Sequence, residues 1–295
     1  MKNKPDALLC ADLHLRSDSP LCRTDDYQYA QNNKLLFIAD LAREYNIPII
    51  DSGDTFHKAF SRKSLEITFI NIFNQVSIYA ICGNHDLVGH SYDNFNDSSI
   101  GVVFNALPYM QMKRESKIEE FKYSMSLKLK GKRIGIIHEY IYAPKIKNHK
   151  IEGYSTDQIF DKLSDYDLIL TGDNHITFTK QRGRQLLVNP GSMMRMNADQ
   201  INHKPCVFLW YSEDNSVEQV FLPIADGVID VSHIDIEKEK LDRTNAFVER
   251  MNNDYELSLS FQENMKQHLK VNKTRNAVEN IIWECIDGHS VSTSL

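Results

Sequence analysis

The sequence has no apolar run of bilayer-spanning length, no C-x-x-C pair, no internal repeat, no low-complexity linker and no excess of basic charge. Each absence excludes something. A membrane helix needs about 20 consecutive apolar residues, and none is present. The opening Met1-Lys2-Asn3-Lys4-Pro5-Asp6 leads into a strand rather than a signal-peptide core. The five cysteines, Cys10, Cys22, Cys82, Cys206 and Cys285, are scattered and odd in number. That pattern argues against a disulfide scaffold or a thiolate zinc site and fits a reducing, cytoplasmic compartment. The net charge of −6 leaves the chain without the overall basic face that grips long nucleic acid. Either the substrate is small, or the basic groups are local, or a partner supplies the contacts. What is present is ordinary for a globular protein: 42% hydrophobic and 25% charged residues over 295 positions, enough for one large α/β domain with a smaller appendage.

The order of patterns in the first third is β-α-β-α-β. Ala7–Ala11 is apolar and ends at Asp12. Residues 34–45 carry Leu35, Ile38, Ala39 and Ala42 at helical spacing. Ile47-Pro48-Ile49-Ile50 reads as a strand ending at Asp51-Ser52-Gly53-Asp54. Ser61 is an N-cap candidate for a helix to Phe73. Residues 77–82 form a third strand, ending at Gly83. The second part is richer in strand: 123–129, 133–137, 167–170, 186–188, 206–211 and 217–222. Ser155 with Gln158 forms a capping box opening a short helix to Leu163. The expected architecture is α/β, a two-sheet β-sandwich flanked by helices over residues 1–226. A small, mostly helical appendage follows over 227–295: a strand over 228–236, then helices over 237–251, 260–269 and 274–286. Ser260 with Glu263 is a capping-box candidate there. Ala277, Val278, Ile281, Ile282 and Cys285 share one apolar face, which either covers the protein's own core or docks a partner.

The chemistry lies at the strand ends. Asp12-Leu13-His14, Gly53-Asp54-Thr55-Phe56-His57, Gly83-Asn84-His85-Asp86, His138 and Gly172-Asp173-Asn174-His175 each close an apolar run. Open α/β sheets bind ligands at that edge. The clusters hold enough oxygen and nitrogen donors for two divalent metals, an arrangement that clamps a phosphate and activates a water. Asp54 is the candidate bridge. Asp12, His14 and His175 complete one site; Asn84, His138 and Asp173 complete the other. Nitrogen and oxygen donors without thiolate suit manganese, iron or zinc over calcium. His85, beside Asn84, is placed to protonate the leaving oxygen.

In this order the motifs resemble the calcineurin-like metallophosphoesterase superfamily, with its D-x-H, G-D, G-N-H-D/E, H and G-H-x-H pattern. The match runs from Leu8 to His175, and strand-rich sequence continues to Leu222. The resemblance implies the two-sheet sandwich. Gly53-Asp54-Thr55-Phe56-His57 is further similar to the G-D-x-F-H of SbcD-type DNA nucleases of double-strand-break repair. Asn189-Pro190-Gly191-Ser192 followed by Arg195 resembles their P-G-S segment. The finer resemblance implies that His57 orients DNA or water, that His85 is the general acid, and that the partners are DNA and an SMC-like coiled-coil ATPase, with a homodimer as a further form. Arg16, Lys58, Arg62 and Arg195 then become candidate phosphate contacts, with Lys63, Lys145, Lys147, Lys150, Arg182 and Arg184 as further cations near the motifs.

Asp173 departs from the pattern, standing where the family has the first His of G-H-x-H. An aspartate there still ligates and favours manganese or magnesium; the alternative is that water fills the position. The chain is also short for an SbcD-type subunit. Two other functions stay open beside the DNA nuclease: a phosphatase or phosphodiesterase acting on a phosphoprotein or small nucleotide, and a metal-binding scaffold without catalysis.

Overall fold

The computed structural model describes residues 4–112, 117–142, 152–232 and 261–290. The chain divides into two compact units, Met1–Val231 and Ser232–Leu295.

In the first unit the strands are β1 (Ala7–Cys10), β2 (Ile49–Asp51), β3 (Ile78–Ala80), β4 (Met110–Gln111), β5 (Ser124–Leu129), β6 (Lys132–His138), β7 (Ile141–Tyr142), β8 (Tyr154–Ser155), β9 (Leu168–Gly172), β10 (Phe178–Arg182), β11 (Gln185–Asn189), β12 (Cys206–Tyr211) and β13 (Ser216–Phe221). The helices are α1 (Tyr27–Tyr45), α2 (Lys63–Phe73), α3 (Ser99–Ala106) and α4 (Thr156–Lys162). One sheet runs β13-β12-β1-β2-β3-β4 and a second β10-β11-β9-β6-β5; β7 and β8 pair separately. β1 through β4 are mutually parallel, as are β6, β9 and β11. Their carboxyl ends therefore gather the loops that carry the motifs.

Alternation of side chains explains the layers. Ile134, Ile136, Leu168, Leu170, Leu186 and Val188 belong to the same buried cluster as Leu8, Ile50 and Trp210 of the first sheet. Ile137, Ile169 and Leu187 join Ile159 and Phe160 of α4 in a second cluster. One face of the second sheet thus shares the main core, and the other is covered by α4. On the first sheet, α1 contributes Leu35, Ile38, Ala39 and Ala42, and α2 contributes Leu65, Phe69, Ile72 and Phe73. Each leucine, isoleucine or phenylalanine among them contributes about 1.5–3 kcal/mol when fully buried, each alanine less.

The helix ends correct some sequence expectations. α1 begins at Tyr27, seven residues before the expected start, because the Asp26 side chain accepts the Tyr29 amide and caps it. Ser61 is not the cap of α2. The N-cap is Arg62, and the Ser61 amide instead donates to Ser99 Oγ. The capping box of Ser155 and Gln158 forms as its spacing implies. Of the strand expected over 228–236, the described part shows a single bridge, Arg23 to Ile229.

In the second unit the described residues form α5 (Phe261–Val271) and α6 (Asn276–Ser290). Lys266 lies over the Trp283 ring, while Val278 and Ile281 are exposed. The expected helix over 237–251 and Ser260 of the expected capping box lie outside the described residues. Among the described residues, no helix is long and apolar enough to cross a membrane.

Candidate metal centre

The loops after β1 and β2 continue to pair beyond the sheet. The Asp12 amide donates to Gly53 O, His14 to Asp54 O, Leu15 to Thr55 O, and His57 back to Leu15 O. This zips D-x-H against G-D-x-F-H. The residues that carry the donor atoms hold unusual backbone: Asp12, His14, Asp54 and Asp173 have φ of 51°, 44°, 54° and 75°. Left-handed backbone is costly for residues other than glycine and concentrates at functional sites.

Asp54 stands at the centre. Its Oδ1 accepts the His85 amide at 2.9 Å. Its Oδ2 lies 3.6 Å from His14 Nε2 and 3.3 Å from His138 Nε2. One carboxylate oxygen thus faces both imidazoles, the placement a bridging ligand requires. Asp12, His14 and His175 bring ligand atoms within 4.8 Å of one another, as do Asp12, Asp54 and His138. The His14 and His175 Nε2 atoms are 3.0 Å apart. Asn84 Oδ1 is 3.1 Å from His138 Nε2. His138 Nδ1 donates to Ser52 O at 2.8 Å, which fixes the tautomer and turns Nε2 towards Asp54 and Asn84.

Two motif glycines are there for space. A methyl on Gly83 would overlap the Asp54 carboxylate, and one on Gly172 would stand 2.7 Å from His138 Nδ1.

The electrostatics suit cations. Burial raises Asp12 to about 6. Burial works against charge on His138, but the facing Asp54 carboxylate overrides it and raises His138 to about 10. Burial likewise opposes Asp54, yet the His138 charge and hydrogen bond hold it well below the usual carboxylate range. Burial drives His14 well down, keeping it a neutral imidazole. Asp12 Oδ2 and His14 Nδ1 are buried without a hydrogen-bond partner. Buried polar atoms are normally paired. A carboxylate–imidazole cluster with unused acceptors is what divalent metals fit, and Asp12, His14, Asp54, Asn84, His138 and His175 are placed to hold them.

Asp173 sits at the rim. Its amide donates to Asp12 Oδ1 at 3.1 Å, and its own Oδ1 is 3.9 Å from His138 Nε2, with the side chain 36% exposed. It is close enough to contribute an oxygen to the site that His138 serves.

His57 and His85 stack 5.4 Å apart beside His14. His85 is exposed, and its Nδ1 donates to His57 O at 2.9 Å. That bond leaves Nε2 available to carry a proton. Burial, with Arg16 nearby, lowers His57 to about 4, so it is neutral at physiological pH.

The candidate phosphate contacts divide. Arg16, Lys58 and Arg62 line one cavity of 320 Å³ that also touches His57. Arg195 does not belong with them. It is buried, and its guanidinium donates to Ile201 O and Ala225 O, so it ties chain segments together. A guanidinium that is itself buried and committed to two backbone carbonyls is not free to meet a phosphate. Arg182 pairs with Asp161, and Arg184 is exposed. Lys145, Lys147 and Lys150 lie outside the described residues.

Further residues brace the centre. Asp86, fully buried, accepts the Thr55, Phe56 and Gly83 amides at 3.2, 2.8 and 2.9 Å, locking the G-N-H-D turn onto the G-D loop. Burial and the Asp54 charge push it up to about 7, against three donors that favour its carboxylate. Asp51 accepts the Gly53 amide and Thr55 Oγ1. His90 Nδ1 donates to Asn84 O. Asn189, of the N-P-G-S segment, donates to Asn174 O and Ile176 O, and the Ser192 amide donates to His175 O. That segment therefore braces the loop bearing His175. Asp86 and Asn189 lay inside recognised motifs; nothing in the sequence singled out Asp51 or His90.

The family model for the calcineurin-like phosphoesterase superfamily domain matches residues 8–210. No curated protein matches the chain. Among solved structures, an archaeal phosphodiesterase is similar at 13% identity, covering 73% of this chain and 99% of its own, with a TM-score of 0.45. Vps29 of Entamoeba histolytica, complexed with zinc, is similar at 14% identity over 73% of this chain and 98% of its own, TM-score 0.37. A conserved protein of Streptococcus pneumoniae TIGR4, described as a predicted phosphoesterase, is 14% identical over 78% and 98%, TM-score 0.38. The assignment rests on the family model, which spans every motif that builds the centre: the chain belongs to the calcineurin-like phosphoesterase superfamily.

Proposed function

We propose that the chain is a metal-dependent phosphodiesterase that cleaves DNA. The observation that carries this reading is that the carboxylate–imidazole cluster adjoins two separate cavities. One, of 510 Å³, is reached past His175; the other, of 320 Å³, past His57. An ester with a substituent on each side of phosphorus has a use for both, whereas a monoester needs only one. Bound divalent ions, with manganese favoured and magnesium, iron or zinc as alternatives, would stabilise charge on the phosphoryl oxygens and supply an activated water. Asp12, His14, Asp54, Asn84, His138 and His175 would hold them, with Asp173 as a further ligand. The chain itself supplies the proton: His85, braced at Nδ1, presents Nε2 for transfer to the departing sugar oxygen. His57, neutral and stacked on His85, keeps that ring in place.

DNA is favoured over a small nucleotide by the G-D-x-F-H resemblance and by the three cations grouped beside His57. The net charge of −6 favours the small-substrate alternative. The experiment is hydrolysis of end-labelled linear DNA with manganese beside bis(p-nitrophenyl) phosphate, wild type against Asp54→Ala. Loss of DNA label that disappears in the variant is expected. Cleavage of the small diester alone would move the assignment to a small-substrate phosphodiesterase. Hydrolysis of neither would leave a metal-binding scaffold.

A further inference from the structure

The cavity beside His57 gathers cations and an aromatic ring. Leu15, Arg16, Lys58, Phe60 and Arg62 line it together with the His57 ring. Among the described residues that line it, the one carboxylate is Asp18, held below the usual range, to about 2, by hydrogen bonds from Arg16. That pair is bidentate, at 3.2 and 2.5 Å, so Arg16 is partly neutralised. Among the described residues Lys58 and Arg62 have no such bidentate partner, and both are exposed at the mouth. In a chain of net charge −6, three cations against one carboxylate around 320 Å³ are a local reversal of sign. Phe60, 62% exposed, adds an aromatic face to the same wall.

Cations that track a backbone and an aromatic ring on which a base can stack are the two parts of a single-strand nucleotide site. The His57 ring stands 5.6 Å from His14, so the cavity adjoins the metal centre. We infer that this cavity is a neighbouring-nucleotide subsite. It takes the phosphate adjacent to the scissile diester on Lys58, Arg62 and Arg16, with the attached base stacked on Phe60. A base so placed is unpaired, and the substrate is a strand end or a frayed duplex. The inference rests on the phosphodiesterase reading and narrows its substrate class.

The test uses the full chain with manganese and three substrates: bis(p-nitrophenyl) phosphate, the dinucleotide TpT, and pTpTp, which adds terminal phosphates around the same internal diester. Wild type is expected to cleave the internal bond of pTpTp with kcat/KM about tenfold or more above TpT, the effect of gaining charge-assisted hydrogen bonds. In Lys58→Gln/Arg62→Gln the ratio should fall towards one, and in Lys58→Arg/Arg62→Lys it should be retained. Phe60→Ala should weaken both dinucleotides together. A wild-type ratio near one, or a ratio that survives the double glutamine variant at an unchanged melting temperature, overturns the subsite while leaving the phosphodiesterase reading intact. Should no diester be hydrolysed, that reading fails. Calorimetric binding of pTpTp and TpT to wild type and variant then decides the subsite by the same ratio.

Discussion

Replacing Asp86 with alanine tests the architecture of the centre without touching a candidate ligand. The carboxylate is fully buried and accepts three backbone amides, those of Thr55, Phe56 and Gly83. Alanine would leave all three buried and unpaired. Each unsatisfied donor costs about 1–3 kcal/mol. Allowing for water entering the space, and at pH 5 for the roughly 1.5 kcal/mol regained because burial and Asp54 hold Asp86 up at about 7, the loss should be about 2–4 kcal/mol, a large share of the roughly 5–15 kcal/mol that keeps a domain folded. Asparagine retains one acceptor oxygen and should fall between wild type and alanine. The same three bonds hold the loop of Asp54 against the turn of Asn84, so manganese affinity in Asp86→Asn should fall about 10- to 100-fold, as for other residues that orient ligands. The assay is urea unfolding of the metal-free protein at pH 5, below the value of about 7 to which burial and Asp54 raise Asp86, followed by metal titration at pH 8 of whichever variant folds. An alanine variant within about 1 kcal/mol of wild type would refute the reasoning, since that is less than the cost of even one orphaned donor.

Other consequences are as direct. His138 is raised to about 10 in the metal-free protein, so a metal must displace its proton at neutral pH. Manganese affinity should therefore climb about tenfold per pH unit between about pH 7 and 9; a flat calorimetric profile would refute this. By the same sign, the stability His138 adds to the metal-free protein is full below its ordinary value near 6.5 and is lost as pH rises through about 10. The difference in unfolding free energy between wild type and His138→Gln should shrink accordingly. Arg195→Ala should cost about 1–3 kcal/mol in urea unfolding, through loss of its charged hydrogen bonds to the Ile201 and Ala225 carbonyls, yet leave turnover per folded molecule unchanged. Gly83→Ala should abolish metal-dependent hydrolysis, because its methyl would overlap the Asp54 carboxylate; a variant with wild-type turnover would show that the turn yields more easily than the geometry implies.

The fold was legible where periodicity and burial agree. β9 and β11 alternate between two buried clusters, and their apolar runs mark them from sequence. β10 was missed because its Phe-Thr-Lys-Gln-Arg lies at a sheet edge with only partial burial, and its charged residues satisfy salt bridges rather than a core. α3 was missed because it is eight residues long and capped by Ser98 outside any motif. At the site, donor identity could be read because metal ligands must be His, Asp or Asn at strand ends. Their support was harder to read. Asp51 and His90 act through backbone contacts set by the meeting of loops far apart in sequence, and no local spacing encodes such a meeting. Arg195 misled because an arginine near a motif reads as a substrate contact until its burial is known.

The left-handed backbone at Asp12, His14, Asp54 and Asp173 bears on how such a protein changes over generations. Each of these conformations costs about 1 kcal/mol or more for a residue with a β-carbon, and glycine would relieve it. Asp173 is the most exposed of the four, and its contact with Asp12 is made by its backbone amide, which glycine keeps. Under selection for folding alone, that position would drift to glycine and the cluster would erode from its rim inwards. Aspartate at that position stands against the conformational preference of the chain, so Asp173→Gly should gain stability while it loses the rim oxygen that faces His138.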